Sequence, residues 1–284
     1  MNSALCFLAY AVVAGVTAPR LLDAQTRHGR SARFGVLAWF VAIGTVLASW
    51  IAAAAALTRN LHAPVKAVGA AMLLMLIVRV TRSAASHAYR SYRRRRQQLE
   101  ALALIGSRDH TLGVTVIESP EPLVYCLPGR APTVVVTTGA RAALTPEQLQ
   151  AVLGHERAHL TGRHSVALAV AYTLARAIPW SRLFRLSADH VANLLEMCAD
   201  DAAARRSGAR TVATALAAMS PMPVPAGAVG AAGGLVLTRA RRLYQPASSW
   251  SVRRTRLALA MTTAALAAGP FLATIVPFCR RSLW

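Results

Sequence analysis

The stretch TPEQLQAVLGHERAHLTG, residues 145–162, carries the strongest structural signal in this 284-residue chain. It predicts a helix, because Thr145 suits the N-cap, Pro146 suits the first helical position and Gln148 can close a capping box. The helix should run to about Leu160, since the Thr-Gly pair that follows can end it.

The second half of this helix contains the pattern His-Glu-x-x-His. His155 and His159 are four residues apart and share one helix face, so both imidazoles can point at a single Zn²⁺. Glu156 can reach the open position of such a metal and take a proton from a bound water. The five-residue pattern alone is only moderately specific, but two predicted strands precede it and its helix has an apolar face.

A catalytic zinc site needs a third protein ligand. The downstream candidates are His164, Asp189, His190, Glu196, Asp200 and Asp201. Glu196 stands out, because Glu196 and Asp200 lie at i and i+4 in a helix predicted over 187–206. One carboxylate can bind the metal while the other holds a ligand histidine by its second ring nitrogen. The alternative is that both are ordinary surface charges on an amphipathic helix.

Four long apolar runs lie outside this region, at 4–19, 34–57, 65–80 and 257–278. The second and fourth reach the roughly 20 residues that a helix needs to cross a bilayer, whereas the first and third are short. Arginines cluster after the first and third runs and before the fourth. The positive-inside rule therefore places the N-terminus and the C-terminal tail outside and the intervening domain in the cytoplasm, at a bacterial inner membrane.

The overall composition agrees with a membrane protein. Hydrophobic residues make up 55% of the chain and charged residues 15%, with 32 Lys+Arg against 11 Asp+Glu and a net charge of +21. This excludes a disordered protein, and four cysteines do not make a disulfide scaffold. The arginine run 93–96 lies in the basic segment after the third apolar run and is not interleaved with aromatics. We therefore expect membrane lipids as partners and no direct nucleic-acid binding.

Strand and turn signals appear between the third and fourth apolar runs. Residues 111–118 and 133–138 are β-branched and predict strands, with turn chemistry at 127–132. A helix over 165–178 suits either the core of a domain or the membrane interface. The Pro-, Gly- and Ala-rich segment 220–234 predicts a loop and is a candidate gate for the site.

The predicted fold is an α-helical membrane protein with an inserted α+β domain, which, through its His-Glu-x-x-His helix, resembles the zincin-like (gluzincin) metalloproteases. Three transmembrane helices occupy residues 1–80, the cytoplasmic zinc metalloprotease domain occupies 81–256, and the C-terminal transmembrane helix with a short tail occupies 257–284.

The site residues resemble those of the gluzincin metallopeptidases, especially their membrane-embedded branch. Residues 125–129 (YCLPG) and 134–139 (VVVTTG) resemble the strand segment before the active-site helix in HtpX-like and BlaR/MecR-type peptidases. Residues 196–203 (EMCADDAA) resemble the Glu-x-x-Ala-Asp block of the BlaR/MecR type. Three spans before the domain and one after it also resemble that family, whose peptidase domain faces the cytoplasm.

The resemblance implies that His155, His159 and Glu196 hold Zn²⁺, that Glu156 activates the water and that Asp200 orients a histidine ligand. In BlaR/MecR-type sensors, the protease inactivates a cytoplasmic winged-helix repressor, so such a repressor is a candidate protein substrate. Only a short tail follows the fourth run. An extracellular penicillin-binding domain is therefore not expected, and β-lactam sensing is not carried over.

Two features of the mechanism stay open at the level of sequence. Peptide hydrolysis needs a donor for the oxyanion besides zinc, and the candidates are Arg239, Arg242 and Tyr244, each of which has a structural alternative. The strand at 133–138 could pair with an extended substrate if it lies at the sheet edge; the alternative is a buried strand.

The function predicted on these grounds is that of a membrane-bound zinc metalloendopeptidase that carries out regulated proteolysis of a cytoplasmic regulator, such as a winged-helix repressor. One alternative is an HtpX-like protease for quality control of membrane proteins. Another is a non-catalytic membrane signalling scaffold, against which the intact Glu156 argues, because a structural metal site needs no general base.

Overall fold

The computed structural model describes residues 3–60, 62–219 and 231–281, and within these ranges it contains ten helices and four strands. In chain order they are α1 (Ser3–Thr26), α2 (Ala32–Asn60), α3 (Ala63–Ile105), β1 (Gly106–Asp109), β2 (Val114–Ile117), β3 (Val124–Leu127), β4 (Thr133–Thr137), α4 (Thr138–Ala143), α5 (Pro146–Thr161), α6 (His164–Ala177), α7 (Arg182–Ser207), α8 (Ala209–Met219), α9 (Ala231–Tyr244) and α10 (Ser249–Arg281).

The chain divides into two compact units. The first, here called the apolar-helix unit, comprises Met1–His87, Ala169–Ala192 and Ser249–Trp284. The second, here called the sheet unit, comprises Ala88–Leu168 and Asn193–Ser248. The segment Ala169–Ala192, which the sequence places inside the protease domain, thus groups with the apolar helices. The predicted domain boundaries themselves stay a prediction.

Four helices of the described chain are long and apolar enough to cross a membrane. They are α1, α2, the apolar part of α3, and α10, at the four apolar runs of the sequence. α1 and α3 are longer than the apolar runs at 4–19 and 65–80 from which they were predicted. α1 continues to Thr26, and α3 continues to Ile105. The chain is therefore mostly helical with several candidate spans, and their orientation stays a prediction.

Small side chains mediate the packing of α1 in the apolar-helix unit. Its buried alanines, Ala4, Ala11, Ala14 and Ala18, recur on one helix face. Small residues allow helix backbones to approach closely, which is how helices associate where lipid removes the hydrophobic driving force. Between α1 and α10, Gln25 Nε2 donates to Thr262 Oγ1 at 2.9 Å, so a polar contact adds to this packing.

The sheet unit is built on a four-stranded mixed sheet in the order β1-β2-β4-β3. β1 pairs antiparallel with β2, β2 pairs parallel with β4, and β3 pairs antiparallel with β4. Of the two predicted strands, 133–138 is β4 and 111–118 contains β2. β4 lies inside the sheet, with Val134, Val135 and Val136 buried, so the buried alternative is correct and this strand has no free edge for a substrate.

Each face of the sheet packs against a different helix. Val134 and Val136 face the cluster that includes Leu149 and Leu153 of α5. Val135 faces the opposite cluster, in which Leu102 of α3 is buried. This alternation follows from the two-residue period of a strand. Because α5 lies flat on one face, the histidines of its other side are held in a fixed position relative to the sheet.

The three helices predicted between the third and fourth apolar runs are present, and the boundaries of α5 agree closely with the prediction. Thr145 is the N-cap of α5, a capping box with Gln148 is formed, and Gly162 is the C-cap. The helices predicted over 165–178 and 187–206 correspond to α6 and α7. The predicted loop 220–234 lies outside the described residues up to 230, and its last four residues belong to α9.

Candidate metal centre and active site

Helices α5 and α7 supply the residues of the candidate metal centre. α5 is anchored at its N-terminus by the capping box and along its length by Arg157, whose Nη2 donates to Leu112 O at 2.8 Å. Leu153 of α5 is fully buried against the sheet. These contacts fix the rotation of α5 about its axis and turn His155 and His159 towards α7.

Three side chains converge between these helices: His155, His159 and Glu196. The Nε2 atoms of the two histidines are 3.1 Å apart. Glu196 Oε2 lies 3.4 Å from His155 Nε2, and Glu196 Oε1 lies 3.4 Å from His159 Nε2. The structure thus brings together the three residues that the sequence nominated, from positions up to 41 residues apart (196 − 155).

The donor set fits a four-coordinate metal with one open position. Two imidazole nitrogens and a carboxylate oxygen are the ligands typical of catalytic zinc sites. Zinc–ligand bonds of about 2.0–2.1 Å in a tetrahedron place neighbouring ligand atoms about 3.3 Å apart. The three separations of 3.1, 3.4 and 3.4 Å match this value. The side chains therefore need little rearrangement to share one ion.

Asp200 contacts the second ring nitrogen of His155. Its Oδ1 lies 3.1 Å from His155 Nδ1, the ring nitrogen that points away from the other two ligands. The Asp200 side chain is fully buried, and it is paired with Arg239 of α9. A carboxylate at this position can fix the orientation and tautomer of a ligand imidazole, which is the role predicted for Asp200.

His164 supports the second histidine. It is buried, and its Nδ1 lies 3.0 Å from His159 Nδ1. The close approach depends on Gly162, because a Cβ at that position would come within 2.5 Å of His164 Nε2. His164 was a candidate ligand by sequence; the structure instead places it against His159 and outside the converging group.

The two histidines differ in protonation in the metal-free protein. Burial opposes charge on His155, but the contacts with Asp200 and Glu196 outweigh it and raise the pKa of His155 to about 9. Burial lowers the pKa of His159 to about 4, which the Glu196 charge only partly offsets. A metal ion bound at this group would have to displace a proton from His155 but not from His159.

Glu156 lies beside the histidines and faces β3. Burial raises the pKa of Glu156, while the charge on His155 and hydrogen bonds from the thiol and backbone amide of Cys126 limit the rise. Burial and the Glu156 charge raise the pKa of the Cys126 thiol to about 12, so the thiol stays protonated and acts as a donor. A general base with a raised pKa is better matched to proton transfer near neutral pH.

These residues open into a cavity of about 270 Å³. It is lined by Tyr125, Cys126, Pro128, His155, Glu156, His159, Leu160, Ser165, Leu168 and Glu196. One wall is β3, which is an outer strand of the described sheet. β3 and the three converging side chains therefore border the same cavity.

Two of the three predicted oxyanion donors, Arg242 and Tyr244, do not line this cavity. Arg242 Nη1 donates to Asp201 Oδ1 at 2.8 Å and its Nη2 to Met197 O at 3.0 Å. Tyr244 is 49% exposed and is absent from the cavity lining. Their catalytic role therefore stays a prediction without geometric support.

The remaining downstream candidates lie elsewhere. In the apolar-helix unit, His190 stacks on Trp39 and lies 3.8 Å from Asp23. Asp201 pairs with Arg242. Sequence reasoning missed Cys126 as a contact of Glu156, because nothing in the spacing between a strand and a later helix signals their proximity.

Comparisons with known proteins agree with a metallopeptidase site. Residues 88–183 match the model of Peptidase family M48, whose members are metal-dependent. Curated proteins similar to the chain include a protease HtpX homolog from Thermodesulfovibrio yellowstonii, which is 39% identical over 70 residues. That match covers 24% of each protein, so the chain spans about a quarter of the length of this relative. No solved structure is significantly similar to the chain.

The matched segment contains part of the candidate metal centre. The M48 match contains His155, Glu156 and His159, and the apolar helices agree with a membrane protein. The BlaR/MecR subtype stays a prediction. Over residues 88–183 the chain is similar to Peptidase family M48, and over 70 residues it is similar to a protease HtpX homolog.

Proposed function

We propose that this protein is a membrane-bound zinc endopeptidase, with His155, His159 and Glu196 as metal ligands and Glu156 as general base. The observation that carries the proposal is the convergence of the three ligand atoms, 3.1–3.4 Å apart, at the wall of a cavity that Glu156 also lines. A structural metal site would be closed by a fourth protein ligand and would need no carboxylate beside it.

Each residue has a distinct part in peptide hydrolysis. Zinc bound to the three side chains would polarise the scissile carbonyl and acidify a water molecule. Glu156 takes the proton of the attacking water on its carboxylate and delivers it to the departing amine. Cys126 holds the Glu156 carboxylate by donating to it, and Asp200 holds His155 by contacting its Nδ1.

An extended substrate fits beside β3 rather than β4. β3 is an outer strand of the described sheet, and its residues Tyr125 and Cys126 line the cavity. A peptide that adds to this edge forms main-chain hydrogen bonds, so it is held in position largely independently of its sequence. This favours cleavage of unfolded or extended segments of proteins.

Two substrate classes are compatible with this site. The similarity to a protease HtpX homolog favours misassembled membrane proteins. The resemblance to BlaR/MecR-type sensors favours a cytoplasmic winged-helix repressor. Both agree with a site on the cytoplasmic side of a bacterial inner membrane, which the arginine distribution favours.

The test is to purify the full chain in detergent and to compare it with Glu156→Gln. Bound zinc is measured, together with cleavage of a repressor and of a misfolded membrane protein, each co-expressed with the protease. We expect both forms to hold one zinc ion, and the variant to lose about 10²–10⁴-fold in cleavage rate. Glu147→Gln is the matched control, because Glu147 is an exposed residue in the first turn of the same helix.

The outcomes separate the parts of the proposal. Wild-type protein without zinc would contradict the ligand assignment. Equal cleavage by wild type and Glu156→Gln would contradict the role of Glu156. Cleavage of only one of the two substrates identifies the substrate class.

A further inference from the structure

Helix α9 presents two arginines, one turn apart, to the ligand-bearing helix α7. Arg239 donates from Nε to Asp200 Oδ2 at 2.8 Å and from Nη2 to Asp200 Oδ1 at 2.7 Å. Its third nitrogen, Nη1, lies 3.0 Å from Glu196 Oε2. Arg242 instead binds Asp201 and the carbonyl of Met197. Both arginines hold α9 to α7, but only Arg239 contacts residues of the metal centre.

A single guanidinium therefore touches both acidic side chains of the centre. Asp200 Oδ1, which accepts from Arg239, is also the atom 3.1 Å from His155 Nδ1. Glu196 Oε2, which faces Arg239, is the oxygen 3.4 Å from His155 Nε2. Arg239 thus contacts one of the three candidate ligands, Glu196, directly and a second, His155, through Asp200.

The electrostatics explain why a cation is needed at this position. The Asp200 side chain is fully buried and that of Arg239 is only 13% exposed. A buried carboxylate is costly unless it is paired and hydrogen-bonded, and a neutral acid would hold His155 less firmly. The guanidinium fork also fixes the plane of the carboxylate, which an ammonium group cannot do.

We propose that Arg239 is a positioning residue for the metal centre, which orients Glu196 and, through Asp200, His155 for metal binding. The inference rests on the proposed metal site and assigns to Arg239 a part in building it. Arg239 is not a catalytic residue in this view. Its Nε, Nη1 and Nη2 are all directed to Asp200 and Glu196, and it is absent from the cavity lining. The earlier possibility that Arg239 serves as oxyanion donor is therefore set aside.

The experiment measures zinc affinity of the detergent-solubilised full chain by competition with a chelator. The absorption spectrum of the Co²⁺ form provides a second readout, since its visible bands report ligand geometry. The variants are Arg239→Gln and Arg239→Lys, and the matched control is Arg242→Gln, which removes the neighbouring arginine of the same helix. The thermal unfolding temperature of each metal-free variant shows whether the variant is folded and how far its stability falls when the contact between α9 and α7 is changed.

We expect Arg239→Gln to bind zinc about 10–100-fold more weakly than wild type, the range typical for residues that support a metal ligand. Arg239→Lys keeps the positive charge but loses the planar, two-pronged guanidinium. Its zinc affinity should therefore lie between those of wild type and Arg239→Gln. Arg242→Gln should bind zinc within about threefold of wild type and should keep the Co²⁺ spectrum. That change is smaller than the roughly 10–100-fold loss typical of residues that support a metal ligand.

Three results would overturn the inference. The first is zinc affinity of Arg239→Gln within threefold of wild type. The second is an equal loss in Arg239→Gln and Arg242→Gln, which would assign the effect to the attachment of α9. The third applies if Arg239→Gln does not fold: Arg239→Lys with wild-type affinity and spectrum would then contradict the role of the fork. Failure of the wild type itself to bind zinc would instead refute the proposed function.

Discussion

Replacing Asp200 by asparagine removes a buried negative charge that contacts both His155 and Arg239. Although burial opposes ionisation, these two partners lower the pKa of Asp200 from 3.8 to about 2. At about 1.4 kcal/mol per pKa unit, this lowering corresponds to about 2 kcal/mol in favour of the carboxylate. Because the pKa is depressed in the folded state, the stabilisation is present above pH 3.8 and is lost as the pH falls through 2.

At neutral pH, Asp200→Asn should therefore lose at least this stabilisation. The substitution also leaves Arg239 with a neutral partner, and uncompensated buried charges cost about 3–5 kcal/mol. We expect the free energy of unfolding of the metal-free protein to fall by about 2–5 kcal/mol in urea, between the pKa-based figure and the upper cost of an uncompensated buried charge. Because His155 loses its charged support, zinc affinity should fall by about 10–100-fold.

The neighbouring carboxylate provides the control. Asp201 pairs with Arg242, but its side chain is 40% exposed, and exposed ion pairs contribute about 0–1 kcal/mol. Asp201→Asn should leave zinc affinity unchanged and cost at most this amount. The reasoning is refuted if Asp200→Asn and Asp201→Asn have equal effects, or if Asp200→Asn retains wild-type stability and zinc affinity.

Two further predictions concern proton competition and the core. Because the contacts with Asp200 and Glu196 outweigh burial and raise the pKa of His155 to about 9, zinc must displace a proton at neutral pH. Zinc affinity should then rise about tenfold per pH unit up to that value, and chelator competition that shows a plateau above pH 7 would contradict this. Leu153 is fully buried between α5 and the sheet, so Leu153→Ala should cost about 2–5 kcal/mol in urea unfolding, whereas Leu104→Ala, at an 87% exposed position, should cost little.

Local sequence patterns were sufficient for α5 and for the metal-ligand candidates on it. The capping box, the N-terminal proline and the His-x-x-x-His spacing act within a few residues, so each could be recognised without the rest of the fold. The same holds for Glu196 and Asp200, whose i and i+4 spacing places them on one face of α7. The apolar runs likewise predicted the four long helices, because hydrophobicity over about 20 residues is a local property.

The assembly of the sheet lay beyond these patterns. The sequence offered 133–138 as a strand that could be either edge or interior, because a run of β-branched residues is the same in both cases. Its position between β2 and β3 depends on which strands pair, and pairing is decided by contacts distant in sequence. β3, which borders the cavity, is only four residues long and runs into the turn residues at 127–132. The pattern of β-branched residues therefore did not predict it as a strand.

The sequence by itself predicted two histidines and a glutamate on one helix, two carboxylates on another, and four long apolar helices. The tertiary structure decided which groups support these residues. Arg239 contacts Asp200 and Glu196, His164 contacts His159, and Cys126 contacts Glu156. The physical reason is that helical periodicity fixes neighbours three or four residues apart, whereas charge pairing and burial between separate elements depend on how those elements pack.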